Sequence, residues 1–163
     1  MMKGDVLISS RTGSWMMLFR PSTGAVIKVI EGPFMSQHDV DIETDSTLIL
    51  FNNGGQTLKG DRPDTWRLSD PIIEVAPQYS GILRYHIGTG DFERIASEVF
   101  EENEIFSFTE SLVDEIPGGG YYIEEQNSSV LWIIKDDEVL YKKILPSQHE
   151  GYHHLANWGR VMP

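Results

Sequence analysis

Segments of about five to eight residues rich in aliphatic and aromatic side chains recur along this chain, and turn-forming residues separate them. No window of twelve or more residues keeps a clean 3.6-residue apolar period. Long amphipathic helices are therefore excluded, and the pattern predicts an all-β, antiparallel fold. Candidate strands cover residues 5–10, 15–20, 25–30, 39–43, 47–52, 72–76, 81–87, 93–99, 105–109, 121–125, 130–135, 138–144 and 154–161. The punctuation between them is Pro-Ser-Thr-Gly at 21–24, Thr-Gly-Asp at 89–91, Pro-Gly-Gly-Gly at 117–120 and Asp-Asp at 136–137. Each supplies residues that preset or tolerate turn conformations. The segment 91–103 also reads as a short helix, although Ile95, Val99 and Phe100 suit neither period cleanly.

A sandwich, a barrel and a propeller all share this pattern. Three hairpin-like units bear on the choice: Trp15-Met-Met-Leu-Phe-Arg, Ile82-Leu-Arg-Tyr-His-Ile and Val130-Leu-Trp-Ile-Ile-Lys each run into a turn and a second apolar strand. They begin at 15, 82 and 130, which makes the spacings 67 and 48 residues, the first lengthened by the polar stretch 53–70. Without most of that stretch both approach the roughly 40–50 residues of a four-stranded propeller blade. Any antiparallel protein contains similar hairpins, so periodicity alone leaves sandwich and propeller both open.

Composition narrows the partners. The 163 residues hold 25 acidic against 13 basic side chains, a net charge of −12, and no cysteine. One domain, 1–163, fits that length. The charge repels nucleic acid and anionic membranes, so neither is expected as a partner, and any bound anion needs a local cationic site. Disulfide and thiol chemistry are excluded. Apolar runs such as Trp15–Phe19 reach only four or five residues, far short of the roughly 20 that span a bilayer. The start Met1-Met2-Lys3-Gly4-Asp5 lacks the layout of a secretion leader, so the chain as given is expected in the cytoplasm.

Neither a P-loop nor a dinucleotide fingerprint appears, and the glycines at 118–120 follow Pro117 as a hairpin turn would. No nucleophile elbow accompanies a serine, histidine and aspartate. No cofactor is expected. Asp39, Asp41, Glu43 and Asp45 alternate along one candidate strand and offer hard oxygens. The loop glycine and spacing of an EF-hand are missing, so no metal site is expected.

The order Leu7-Ile-Ser-Ser-Arg11, Ser36-Gln-His-Asp39 and Leu48-Ile-Leu-Phe-Asn-Asn-Gly54, followed by the hairpin at 81–98 and Ser107-Phe-Thr109, resembles the bacterial arylsulfotransferases. The resemblance spans most of this chain and only the carboxy-terminal half of such a protein. It implies a six-bladed β-propeller whose central funnel passes sulfuryl groups between phenols through a sulfated histidine. One departure stands out: the family usually has Phe-Asp-Asn-Gly where this chain has Phe51-Asn52-Asn53-Gly54.

The resemblance puts His38 at the nucleophile, and neutral imidazole suits attack on an electrophilic sulfur because the N-sulfate it forms is labile. It puts Arg11 against the sulfuryl oxygens, which a planar guanidinium fork holds two at a time. Thr109 falls where the family has a small hydroxyl residue able to donate to the same oxygens. His153 or His154 with Asn157 would fill a further funnel position if the last strand closes onto the first blade, although the family spacing there is two residues and here it is three or four. Adjacent strand histidines point to opposite faces, so one of the pair at most lines a channel. The insertion 54–68, carrying Lys59, Arg62, Trp66 and Arg67, reads either as a lid over an aromatic anion or as a solvated loop.

Grouped over 5–30, 39–99 and 105–144, with the strand at 154–161 added to the first group, the candidates make about three four-stranded blades. Three blades close too tightly, whereas a twofold dimer would complete six, the last strand of each chain finishing the first blade of the other. A homodimer is therefore expected. Two functions stay open: an arylsulfotransferase-like enzyme acting on an aromatic sulfate and a phenol, and a non-catalytic propeller used for binding or assembly. Relatives in the family are typically exported, in contrast to the location expected from the amino terminus.

Overall fold

The computed structural model describes residues 1–54, 79–156 and 158–162. Among them, eleven strands build three antiparallel sheets, with one six-residue helix, and no helix is long and apolar enough to cross a membrane. Sheet A holds β1 (Val6–Ser10), β2 (Trp15–Arg20) and β3 (Ala25–Ile30). Sheet B holds β4 (His38–Thr44), β5 (Thr47–Asn52), β6 (Gly81–His86) and β7 (Phe92–Ile95). Sheet C holds β8 (Leu112–Glu115), β9 (Tyr121–Glu125), β10 (Val130–Lys135) and β11 (Glu138–Ile144). Every sheet is a meander in which strands pair with their chain neighbours.

The three hairpin units of the sequence are the pairs β2–β3, β6–β7 and β10–β11. Their turns follow from local chemistry. Asp136 and Asp137 both take positive φ, 51° and 57°, the signature of a two-residue type I′ turn whose twist matches the flanking strands. Gly24, at φ 65°, closes the turn after Pro21 with its N–H on the Pro21 carbonyl.

Sheet B lies between the other two, and this explains why all six residues of β5 are buried. Side chains alternate along a strand. Ile49 and Phe51 join Ile82, Val113, Ile123 and Trp132 in the core shared with sheet C, whereas Leu48 and Leu50 join Met16, Ile30, Leu83 and Tyr85 in the core shared with sheet A. Helix α1 (Ser97–Glu102) adds Val99 and Phe100 to the first of these cores.

Three expected strands are corrected. The 93–99 strand stops at Ile95 because Ala96 turns left-handed (φ 51°) and opens α1. Residues 105–109 form no strand, and the first strand of sheet C is β8, at residues where no strand is expected from the sequence. Residues 154–156 and 158–161 form no strand either; His153 makes only an isolated bridge to Pro146. The tail therefore adds no strand to the sheets among the described residues. The 72–76 candidate and the 54–68 insertion, from residue 55 on, lie outside the described residues.

Candidate functional site

His38 opens β4, and the backbone on either side of it is tightly specified. Ser36 and Asp39 hold φ of 53° and 49°, left-handed values that cost non-glycine residues about 1–3 kcal/mol each unless their surroundings impose them. Here they do. Ser36 N–H donates to Ser14 Oγ at 3.0 Å, and Asp39 Oδ2 accepts Val113 N–H at 3.0 Å. Between them, Gln37 is buried and its amide nitrogen donates to the carbonyls of Ser10 (3.1 Å) and Trp15 (3.0 Å). Those two carbonyls flank the β1–β2 loop that carries Arg11. Gln37 thus ties the loop of Arg11 to the strand of His38.

Asn53, fully buried just after β5, selects the tautomer of the neutral histidine. Its Nδ2 donates to the Ser107 carbonyl at 2.8 Å, an atom that can only accept. Its Oδ1 must then accept, and it lies 2.8 Å from His38 Nδ1. In the neutral ring Nδ1 therefore carries the proton and Nε2 keeps its lone pair. The preceding Asn52 uses its amide oxygen to accept the N–H groups of Met35 (2.7 Å) and Gly54 (3.3 Å). An amide at this position keeps the acceptor that the family's carboxylate would offer.

The segment 105–109 is where the site residues meet. Arg11 Nε donates to the Thr109 carbonyl at 3.1 Å and Nη2 to the Phe108 carbonyl at 3.4 Å. A guanidinium has five N–H groups, so three carry no hydrogen bond among the described residues. Asn127, in the turn between β9 and β10, accepts Thr109 N–H with Oδ1 at 2.8 Å and donates from Nδ2 to Thr109 Oγ1 at 2.7 Å. Because Thr109 Oγ1 accepts there, its own proton is free to donate elsewhere. The β1–β2, β5–β6 and β9–β10 connections thus supply Arg11, Asn53 and Asn127, one polar side chain from each sheet, to three consecutive residues.

Beside this cluster His38 lines a cleft of about 180 Å³ with Glu110, Ser111, Leu112, Gln126 and Trp158. Trp158 belongs to the carboxy-terminal tail, which three polar contacts pin in place. Gly159 N–H donates to Glu124 Oε2 (2.8 Å), Arg160 pairs with Asp39 (2.9 Å), and Val161 N–H donates to Asp114 Oδ2 (2.9 Å). The Glu124 side chain is itself buried and accepts Gln126 Nε2 at 2.8 Å.

His38, Arg11 and Thr109 are therefore joined through one short segment. His154 is exposed and makes no hydrogen bond to the cluster among the described residues, and Arg62 and Asn157 lie outside those residues. Asn53, Asn127, Gln37 and Trp158 are additions that the sequence reading did not single out. The row of carboxylates on β4 is divided: Asp39 faces Arg160 and Glu43 faces Arg84. Burial and the neighbouring Asp39 charge push the Asp41 carboxyl up.

No curated protein and no solved structure matches the chain. A family model described as arylsulfotransferase (ASST) matches residues 1–139. That span contains His38, Arg11, Asn53, Thr109 and Asn127 and stops short of the tail. With a match over so much of its length, the chain belongs to the arylsulfotransferase family.

Proposed function

We propose that this protein transfers a sulfuryl group from an aryl sulfate to a phenol, with His38 as the nucleophile. The observation that carries this reading is the Asn53 contact, which in the neutral ring leaves the lone pair of His38 on Nε2, in a histidine that lines the cleft and is already fixed in place. The lone pair attacks the ester sulfur, an N–S bond forms, and the S–O bond to the aryl group breaks with its electron pair leaving on the phenolate. A second phenol then attacks the same sulfur, loses its proton to solvent, and returns the electron pair to Nε2. Arg11 and the Thr109 hydroxyl hold the sulfuryl oxygens through both transfers, in a chain whose charge of −12 demands such a local cation.

The test is incubation with p-nitrophenyl sulfate and phenol, read as p-nitrophenolate absorbance, together with mass analysis of the protein quenched after donor alone. Turnover plus one added sulfuryl group on His38 is expected. No turnover and no adduct would leave the non-catalytic module.

Asn53 carries its own prediction. Asn53→Ala removes the acceptor for Nδ1–H and leaves the Ser107 carbonyl short of a partner. The rate is expected to fall about 10–100-fold, the scale seen when a histidine loses its orienting partner, and the fold to lose about 1–3 kcal/mol. Asn53→Asp keeps an acceptor at Nδ1 and should recover part of the rate. Nitrogen NMR of His38 gives the check: an Nδ1–H tautomer in wild type and Asn53→Asp, with a shift toward Nε2–H in Asn53→Ala.

We further propose that the three sheets are successive propeller blades and that a second copy of the chain supplies the rest. Sheet A supports this twice. Relative to sheets B and C it lacks the first strand, the counterpart of β4 and β8. Its face away from sheet B also presents Val6, Ile8, Val26 and Val29, all exposed, beside Met17 and Phe19. A dimer mass by light scattering at micromolar concentration is expected; a monomer at that concentration rules out the shared propeller.

A further inference from the structure

The tail segment 158–162 lies outside the span shared with the family, yet it reaches the His38 cleft. We propose that Trp158 is the aryl-positioning residue of this protein: its indole forms one wall of the cleft and stacks on the ring of the donor or acceptor while the sulfur faces His38. This rests on the reading of His38 as the sulfuryl-accepting group.

Four observations point to the tail as a built wall. The cleft is about 180 Å³, and a cavity of about 150 Å³ is enough to hold a benzene ring. Its lining combines His38, Leu112 and Trp158 with the polar residues Glu110, Ser111 and Gln126. Trp158 itself is 64% exposed, so its ring contributes little to the core and has a face to give to a ligand. Finally, its backbone is held where chain ends usually fray: φ is 60° at Trp158, and the next three residues are anchored to Glu124, Asp39 and Asp114.

Gly159 shows how closely the strap is fitted. A Cβ there would lie 2.5 Å from the Glu124 carboxylate and 2.6 Å from the Tyr122 hydroxyl, so glycine lets the backbone donate to Glu124 without displacing either side chain. Arg160 then places its guanidinium 5.9 Å from the indole centroid and bonds Asp39, the residue next to His38. The wall and the nucleophile are thereby registered to each other through one ion pair. Offset aromatic stacking is worth about 0.5–1.5 kcal/mol beyond simple burial, which corresponds to roughly a two- to tenfold change in affinity.

The experiment uses the full chain and four forms of it: wild type, Trp158→Ala, Trp158→Phe and Gly159→Val. Binding of p-nitrophenol is measured by equilibrium dialysis, independently of turnover, and KM and kcat for p-nitrophenyl sulfate are measured beside it. The expected result is a five- to tenfold weaker p-nitrophenol Kd in Trp158→Ala, matched by a rise in KM that exceeds any fall in kcat. Trp158→Phe restores most of the affinity, and Gly159→Val, which keeps the indole but displaces the strap, behaves like Trp158→Ala. Weakened p-nitrophenol binding in a protein that shows no turnover upholds the aryl wall and overturns the catalytic role of His38. Equal Kd in wild type and Trp158→Ala, or no p-nitrophenol binding by wild type, overturns the aryl wall, whatever the turnover.

Discussion

His38→Ala is expected to release p-nitrophenolate from p-nitrophenyl sulfate at about one thousandth of the wild-type rate or less, because a two-step transfer has no path once its acceptor atom is gone. The fold should survive the change. His38 is half-buried at a strand start, and its one side-chain hydrogen bond among the described residues is to Asn53, which keeps its bond to Ser107. A loss of activity with unchanged thermal unfolding thus separates chemistry from structure. The sulfuryl adduct seen in wild type should vanish with the rate. A His38→Ala protein that keeps a tenth of the activity would mean that another group takes the sulfuryl, and the tautomer argument would lose its purpose.

Much of the fold was legible because it is written locally. The hairpins β2–β3, β6–β7 and β10–β11 announce themselves by short apolar runs and by turn residues such as Asp136-Asp137, and the structure pairs them in that order. The errors arose where distant side chains claim the backbone. Ile105-Phe-Ser-Phe-Thr alternates as a strand should, yet Ile105 and Ser107 are buried and both phenylalanines are exposed. Most of its carbonyls and N–H groups are taken by Phe100, Ser80, Asn53, Asn127 and Arg11 and not by a neighbouring strand. The tail repeats the lesson, since Gly159 and Val161 donate to carboxylates of β9 and β8 and not to a neighbouring strand.

The same non-local bonding decided which site residues could be foreseen. His38 and Arg11 are recognisable by residue type, because nucleophile and anion clamp demand particular chemistry. Asn53 stood in a motif noticed only for its neighbour Asn52, and its role emerges from a geometry that joins residues 54 positions apart. Trp158 stood in a stretch noticed for its histidines and Asn157. An indole signals nothing until the tail is seen folded against His38.

Arg84→Met is expected to be the most damaging change remote from the cleft. The guanidinium on β6 grips Glu43 of β4 at 2.6 and 2.7 Å, reaches Glu93 of β7 at 2.9 Å, and crosses to sheet C through the Tyr121 hydroxyl at 3.0 Å. Burial pushes the Glu43 carboxyl up, but hydrogen bonds from Arg84 and Thr47 outweigh it and hold the group below its ordinary value of 4.5. Glu115 moves the opposite way, raised by burial and then by the hydrogen bond and charge of Glu43. The pair thus divides the labour, one carboxylate ionised against the arginine and the other inclined to keep its proton. Removing the cation leaves Glu43 buried and unpaired, which costs about 3 kcal/mol for a partly buried pair. For a chain of this size that is a fall in Tm of roughly 6–12 °C. The pH dependence identifies the cause. A carboxyl with a lowered folded pKa contributes stability above its unfolded value and loses it as pH falls, whereas the raised Glu115 favours the folded state on the acid side. Without Arg84, Glu43 also behaves as a raised group. The gap between wild type and variant should therefore be widest at neutral pH and close as pH drops through about 4.5 and below. Arg84→Met/Glu43→Gln should regain part of the loss at pH 7, because no buried charge is then left alone. A gap independent of pH, together with a double variant no better than the single, would assign the effect to lost packing of the arginine stem and not to the ion pair.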